Sequence, residues 1–200
     1  NSPLLNYLDN CTALTHICFG SCFNCPLHNA LNNCTALTHI NFGASFSQYL
    51  GSSLDNCTAL TYIKLSYNFN HPLHNALDKL SLLNYIDLGS KFNCPLHNSL
   101  NNCPLLTHIV FSYGFSQPLD NALDNCTALT YIKFGRMFNH SLGSSLVVCT
   151  SLTHIVFGEY FNCPLSNALD NCTALTHISF GNNFAQPLSN SLHNNTALTH

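Results

Sequence analysis

The amino-acid sequence predicts a repeat solenoid, with a parallel β-sheet on one face and turns or short 3₁₀ segments on the other. One 23-residue pattern recurs along the chain without insertion or deletion, in units that begin at residues 11, 34, 57, 80, 103, 126, 149 and 172. With partial units at 1–10 and 195–200, the 200 residues hold about 8.7 units. Self-similarity at such a period is the signature of a solenoid, in which each unit packs against its neighbours.

Each unit contains a segment that alternates apolar and polar side chains. In the first unit Ile17 faces inward between two outward residues, His16 and Cys18, and Phe19 continues the inward side. This alternation is typical of a half-buried strand. It predicts a short β-strand at His16–Cys18 and at the equivalent positions of every unit, paired in register in a right-handed parallel solenoid.

Apolar columns predict a continuous core. Phe23 recurs as Phe in all eight complete units, through Phe184, which predicts a buried aromatic stack on the way to the non-strand side. Pro26 cannot donate a backbone hydrogen bond, so its segment is not a central strand. Leu27 and Leu31 are four residues apart, a spacing that predicts one short helical or 3₁₀ turn opposite the sheet.

The organisation predicted for residues 1–200 is a single solenoid without terminal caps, although bare ends expose an unpaired strand edge. A longer period of 69 residues lies inside the shorter one, in the column Cys25, Gln48, His71, Cys94, Gln117, His140, Cys163 and Gln186. Block duplication would produce this cycle, and so would an assembly that meets every third unit. We therefore expect one window of a longer array, or a subunit that binds copies of itself head-to-tail in a filament.

Composition excludes several classes of function. Charged residues make up 6% of the chain and the formal net charge is −3, so no field steers it toward nucleic acid. No apolar run is long enough for membrane insertion. No nucleophile triad, phosphate loop or carboxylate pair interrupts the repeat, and we expect no enzymatic activity, catalytic residues or cofactor. The expected location is extracellular or at the cell surface, and a cytoplasmic one stays open.

The twelve cysteines and twelve histidines raise the question of disulfides or metal sites. Seven cysteines share one column in which Leu80 fills the fourth unit, which favours a ladder of buried thiols. Cys22 and Cys25 form a lone C-x-x-C pair, a weak zinc signal without a second pair. The His16 column also accepts Tyr62, which a metal ligand set would not tolerate, so no metal site is expected.

Seven sequons raise the alternatives of N-glycosylation and of a structural amide ladder. Six come from one column, so they are one signal repeated, and an asparagine in a tight turn bonds the local backbone in any compartment. The ladder is the favoured interpretation, with glycosylation left open. The sequon residues are Asn10, Asn33, Asn56, Asn125, Asn139, Asn171 and Asn194.

Variation between units is concentrated in the outward strand column and in the two columns that follow the strand. Variable residues on one side of a uniform rod indicate a contact surface, the usual role of a solenoid face, although neutral drift at exposed positions is the alternative. The candidate partner-binding residues are Asn41, Lys64, Asp87, Val110, Lys133, Arg136, Val156 and Tyr160. Val147 and Val148 replace the usual polar turn residues and are the candidate subunit contact.

The run C-T-A-L-T-H-I, preceded by A-L-N-N, resembles the BspA-like class of leucine-rich repeats, whose unit is also 23 residues. The F-N-x-P-L run, as at Phe69–Leu73, is similar to the FNIP repeat, another leucine-rich variant. The resemblance implies a leucine-rich-repeat-like solenoid with a surface for recognition or adhesion. Two functions are therefore expected: a structural or adhesive repeat protein, or alternatively a recognition module that binds a protein or glycan on the variable strand face.

Overall fold

The computed structural model describes residues 4, 7–8, 10–188 and 191–200, and the predicted solenoid is confirmed. Eight strands of three residues form one parallel sheet in chain order, one strand for each complete unit. They are β1 His16–Cys18, β2 His39–Asn41, β3 Tyr62–Lys64, β4 Tyr85–Asp87, β5 His108–Val110, β6 Tyr131–Lys133, β7 His154–Val156 and β8 His177–Ser179.

Every strand pairs with its neighbour at an offset of one unit, so identical columns stack in register. Ile17 pairs with Ile40 and Ile40 with Ile63, and this pattern continues to β8. A threonine before every strand except β4, which follows Asn84, extends the ladder: the Thr38 hydroxyl donates to the Thr15 carbonyl at 3.0 Å. Strands this short are not stable alone. Repetition of the same hydrogen bonds from unit to unit makes the sheet continuous.

The phenylalanine stack is confirmed. The six copies from Phe46 to Phe161 have no exposed surface, and their rings lie parallel with centroids 6.0–6.3 Å apart. Phe23 and Phe184, at the two ends of the stack, are half-buried. The aromatic column therefore forms a spine through the array, with leucine and isoleucine columns packed around it.

The cysteine column is buried from Cys34 to Cys172, as predicted, whereas Cys11 in the first unit is half-buried. Leu80 lies at the same depth with no exposed surface. The thiols also contact the backbone, since Cys57 Sγ donates to the Leu31 carbonyl at 3.6 Å. Asn195 occupies this column in the last unit and donates to the Leu169 and Cys172 carbonyls at 3.1 and 2.8 Å. The column therefore supplies hydrogen-bond donors to buried carbonyls as well as apolar surface, the thiol being the weaker donor.

The predicted helical or 3₁₀ turn between Leu27 and Leu31 is wrong. This side of the solenoid is built of successive turns, closed by bonds such as Ala30 N–H to the Leu27 carbonyl at 2.9 Å. The reason lies at the next residue, His28, whose φ of 46° is left-handed and interrupts any right-handed helical run. Equivalent positions in other units are left-handed too, including Asp120 at 44° and Gly143 at 50°.

Candidate partner-binding surface

The variable positions form one continuous strand-side surface, defined as the third residue of each strand together with the two turn residues that precede each stacked phenylalanine. Val110, Lys133, Arg136 and Val156 line a single groove on it. Lys64 and Asp87, from the two preceding units, line a second groove. Asn41 is half-buried and Tyr160 is exposed. The structure thus brings most of the candidate binding residues together on one side of the rod.

Two candidates on this surface pair with each other. Lys64 Nζ lies 3.9 Å from Asp87 Oδ2, across β3 and β4, and the lysine side chain remains 47% exposed. Asp87 Oδ1 also accepts the Gly89 backbone N–H at 2.9 Å, which orients the carboxylate. An ion pair with so exposed a lysine contributes little stability. The Lys64 amine remains accessible to a ligand, whereas the Asp87 side chain is only 18% exposed.

Arg136 is the centre of a cluster that joins three consecutive units. Its guanidinium binds Glu159 through two contacts, Nη2–Oε1 at 2.9 Å and Nε–Oε2 at 2.6 Å. It lies over the rings of Tyr113 and Tyr160, with 5.6 and 5.1 Å to the centroids, and donates to both phenol oxygens. The hydrogen bonds that Arg136 donates to Glu159 and Tyr113 raise its pKa above the already high ordinary value. This arginine is therefore already paired with an acid of its own chain.

A second aromatic–cationic arrangement, the Lys91 groove, is lined by Tyr67, Lys91, Tyr113, Asn70 and Asn93. The Lys91 amine lies over the Tyr67 ring, 5.4 Å from its centroid. Neither of the two ion pairs within the described residues includes Lys91. The groove is thus cationic and aromatic, and no carboxylate lines it.

Asparagine carboxamides along the edge of this groove link each unit to the next. Asn70 Oδ1 accepts the Asn93 backbone N–H at 2.8 Å and the Cys94 thiol at 3.4 Å. Asn93 Oδ1 accepts the Ser116 N–H at 2.8 Å and the amide of the glutamine after it at 3.4 Å. Ser116 has no carboxamide, and His140 Nε2 lies 3.2 Å from its carbonyl oxygen instead. Each of these three members of the three-unit cycle is therefore hydrogen-bonded to the unit before it.

The outward column at the first strand position is a stack of imidazole and phenol rings. His154, His177 and His200 lie parallel, with centroids 4.4 and 4.6 Å apart. Because the Thr176 hydroxyl donates to the Thr153 carbonyl at 3.1 Å, it can only accept from His177 Nδ1, 2.9 Å away. Desolvation and the two neighbouring imidazoles lower the pKa of His177. The stack exposes ring edges to solvent, because its ring faces cover one another.

Exposed leucines form a patch beside this stack, and sequence reasoning missed them. Leu82 and Leu105 are 46% and 49% exposed and line a shallow groove with Tyr62 and Tyr85. A signal was present in the sequence, because other complete units have Ala or Ser in this column. Lys91, Tyr67 and Tyr113 were likewise visible as variable residues, but nothing in the sequence indicated that they meet in one groove.

The two candidate subunit-contact valines differ in their surroundings. Val147 is 47% exposed. Val148 is half-buried and packs against the core of its own chain. Only Val147 therefore presents an apolar side chain fully outward, and a subunit contact at this turn stays a prediction.

All twelve cysteines are free thiols. Burial raises the pKa of Cys57, Cys103, Cys126 and Cys149 to about 12, so these thiols are protonated and unreactive at neutral pH. Cys18 and Cys22 are exposed. In the described part of the chain, no group of three or more His, Cys, Asp or Glu side chains is arranged to hold a metal ion.

The sequon asparagines are all exposed. Two of them also bond the backbone of the preceding unit through Nδ2: Asn125 to the Asn101 carbonyl and Asn171 to the Val147 carbonyl, both at 3.0 Å. The favoured amide ladder is thus present at these positions. Their exposure leaves room for a glycan, and glycosylation stays open.

Charge is distributed unevenly around the rod. The strand-side surface carries four of the five cationic residues, Lys64, Lys91, Lys133 and Arg136, and two of the eight acidic ones, Asp87 and Glu159. The remaining described charges lie on the other sides: Asp55, Asp78, Lys79, Asp120, Asp124 and Asp170. The strand-side surface is therefore net positive on a chain that is net negative.

Comparison with known protein families gives one match, to the model described as BspA type leucine rich repeat region (6 copies). It covers residues 6–94 and 96–199. The FNIP-like motif is not matched separately. No curated protein matches the chain significantly. The described residues include no helix that is long and apolar enough to cross a membrane.

Several solved structures share the fold. CroV588, described as a novel circular LRR protein, is 30% identical, with a TM-score of 0.72 over 94% of this chain and 30% of its own. The internalin InlF from Listeria monocytogenes is 18% identical, with a TM-score of 0.70 over 94% of this chain and 59% of its own. One chain of the Drosophila Toll–Spätzle complex is 16% identical to this chain, with a TM-score of 0.71 over 88% of this chain and 25% of its own length. The chain thus spans less than two thirds of each of these proteins.

Proposed function

We propose, since the chain belongs to the BspA-type leucine-rich repeat family, that it is a recognition module that binds a protein partner along its strand-side surface. Leucine-rich repeat arrays serve as interaction surfaces or structural repeats and are generally not enzymes. The proposed location is extracellular or at the cell surface, and the exposed sequons are compatible with it.

One observation carries the proposal: the residues that vary between units meet on one side of the rod and form grooves there. Val110, Lys133 and Val156 line one of these grooves, although they come from three different units. Drift at exposed positions would not by itself place cations and aromatic rings on the same side. The Toll chain, which shares the fold, forms a complex with Spätzle, so this architecture can bind a protein ligand.

A structural role within a longer array or a filament is the second candidate. It is favoured by the uniformity of the interface between units, since the phenylalanine stack and the strand register repeat unchanged from β1 to β8. A further unit could be added by the same contacts. Sedimentation of the native protein tests this role. Filaments or long arrays would support it, whereas a single compact monomer would contradict it.

Photocrosslinking tests the recognition role. Benzoylphenylalanine replaces Val110 on the strand-side surface in one variant and the exposed Asp124 on the opposite side in a matched control. Each protein is incubated with the surface extract of its source organism and irradiated. We expect one discrete polypeptide to crosslink at position 110 and not at 124. Equal crosslinking at both positions, or none at 110, would contradict the proposal.

A further inference from the structure

We infer that the Lys91 groove binds a carboxylate from an acidic side chain of the partner protein. This inference rests on the proposed function, because it places a specific ligand group on the strand-side surface. The carboxylate would lie at the Lys91 amine, between Tyr67 and Tyr113, where no carboxylate of the chain itself lines the groove.

The chain contains an internal example of such a bound carboxylate. About two units away, Arg136 lies over Tyr113 and Tyr160, and Glu159 from the following unit binds its guanidinium at 2.6 and 2.9 Å. Both arrangements place a cation over a tyrosine ring of the preceding unit, Lys91 over Tyr67 and Arg136 over Tyr113. At Arg136 the acid comes from the next unit, in the same column. The corresponding residue for Lys91 is Gly114, which has no side chain. The Lys91 groove therefore lacks the carboxylate that pairs with the cation at Arg136.

The groups around Lys91 are hydrogen-bond donors suited to an anion. The Asn70 and Asn93 side-chain oxygens already accept backbone N–H groups, so each exposed carboxamide offers its amino group to a ligand. The Tyr67 and Tyr113 hydroxyls can donate as well. A carboxylate oxygen accepts from several such donors at once, and charge-assisted hydrogen bonds of this kind are the strong ones.

An acidic side chain fits the groove better than an acidic sugar. Sugars bind aromatic residues largely by stacking on ring faces, and here Lys91 lies over Tyr67 and Arg136 over Tyr113. The rings therefore hold cations in place and leave less free face for a sugar. What the groove offers is a positive charge within a row of donors, which an aspartate or glutamate can reach on a flexible stem.

Fluorescence polarisation with labelled hexaglutamate tests the inference at low ionic strength, where screening is weak and the Debye length is about 30 Å. Lys91→Gln removes the cation. Lys79→Gln removes the same charge on the opposite side of the rod and is the matched control. Gly114→Glu supplies the missing acid internally, and its Cβ has room because the nearest atom, the Ser90 carbonyl oxygen, is 3.5 Å away. Glu159→Gln frees Arg136. Circular dichroism melting confirms that each variant folds.

We expect Lys91→Gln and Gly114→Glu to weaken hexaglutamate binding about fivefold, as for the loss of one exposed ion pair, and Lys79→Gln to change it less than about twofold. Glu159→Gln should add a second binding site. Hexaglutamine should not bind. Salt should weaken the binding of hexaglutamate.

Three results would overturn the inference: no hexaglutamate binding, equal losses from Lys91→Gln and Lys79→Gln, or tighter Lys91-dependent binding of hexagalacturonate, which would assign the groove to an acidic sugar. The crosslinking experiment is independent of these. If position 110 captures a polypeptide while the two lysine variants behave alike, the surface binds a partner without using this groove. If the lysine variants differ while position 110 captures nothing, the groove binds carboxylates but the recognition role fails.

Discussion

At the scale of single residues, the role of a column depends on whether its copies stack in the interior or at the surface. Phe115 contacts the copies before and after it at 6.1 and 6.2 Å between ring centroids and has no exposed surface. Cys126 is buried in the same way beside its own copies. Arg136, by contrast, contacts Tyr113, Glu159 and Tyr160 in a way that other units do not repeat, because the residues of these surface columns vary between units. Interior residues therefore have a role common to all units, and surface residues have individual ones.

Removing a phenylalanine ring from the middle of the stack should destabilise the protein more than removing one from its end. Phe115→Ala should lower the free energy of unfolding by about 3–5 kcal/mol, the usual loss for a buried aromatic side chain. Phe184→Ala is the matched control, because its ring is half-buried and the loss should be smaller. Urea unfolding followed by circular dichroism measures both, and equal losses would contradict a spine that is buried along its length.

Thiol reactivity should follow burial. Burial, with smaller contributions from Cys103 and Asp124, raises the pKa of Cys126 to about 12, so near pH 8 its reactive thiolate is almost absent. Iodoacetamide should therefore modify the exposed Cys18 and Cys22 first in the native protein, and every cysteine after denaturation. Peptide mass spectrometry measures the order. Early modification of Cys126 in the native protein would show that the column opens to solvent.

At the scale of the element, each turn after a strand lies directly on the turn of the unit before it. A Cβ added at Gly158 would be 1.9 Å from the Gly135 carbonyl oxygen, a backbone atom that cannot move aside cheaply. Serine occupies this column at two places, and there Ser66 and Ser112 donate to the carbonyls of Phe46 and Phe92. The column thus selects glycine where backbones touch and serine where a side chain can bond across the units.

Alanine substitution should separate these effects. Gly158→Ala should destabilise the protein by about 1–3 kcal/mol, the usual cost of overpacking. Gly20→Ala is the matched control, because no atom lies within 4 Å of its added Cβ. Thermal melting measures both variants. A destabilisation by Gly20→Ala as large as that by Gly158→Ala would show that backbone flexibility, and not close packing, explains the column.

The ring stack on the strands should make stability depend on pH. The pKa of His177 is lowered in the folded state, first by desolvation and then by His154 and His200, so the unfolded chain binds this proton more readily. Stability from this residue is therefore present above the unfolded value, near 6.5, and is lost as pH falls through that value toward the lower folded one. Comparing melting temperatures at pH 7.5 and pH 5 measures the loss.

His177→Tyr is the control for this pH effect, since the column already holds tyrosine in other units and the ring is kept. The variant should lose less stability on acidification than the parent protein. Carboxylates elsewhere contribute equally to both and cancel in the difference. An identical loss in the two proteins would show that the stack does not titrate in this range.

At the scale of the whole molecule, the solenoid is a uniform interior with two unlike sides. The interior repeats with the period of the sequence, and the strands follow one another in chain order. The strand-side surface is net positive and the turns opposite it are acidic, which gives the rod an electric dipole perpendicular to its axis. The acidic partner that we propose would therefore be guided to one side, an effect that weakens as salt is added.

Deletions should reveal how strictly the period is required. Removing residues 80–102, one whole unit, should leave a folded array with a lower melting temperature, because one set of interfaces is lost. Asn70 would then accept from Ser116, as Asn93 now does. Removing residues 80–101 shifts every later column by one position and exposes its core face, so cooperative melting should disappear. Cooperative melting after both deletions would contradict strict register.

The sequence by itself determined the architecture, because a fixed period makes every interior column a copy of itself. Three features follow from this repetition: the strands at His16–Cys18 and its equivalents, the buried Phe46–Phe161 stack and the buried cysteine column. The same periodicity showed which columns vary, and hence which side of the rod is the candidate surface. It did not predict the left-handed residue at His28, because a Leu–Leu spacing of four suits a helical turn as well as a bend.

Only the tertiary structure decided which surface side chains contact one another. Repetition places Tyr113, Arg136 and Glu159 in one column, but the contacts of Arg136 with them and with Tyr160 depend on side-chain directions, which the period does not give. The same is true of the Lys91 groove and of the asparagine bonds behind the three-unit cycle. The backbone repeats because each unit makes the same hydrogen bonds, whereas the surface is specific because each unit departs from the pattern differently.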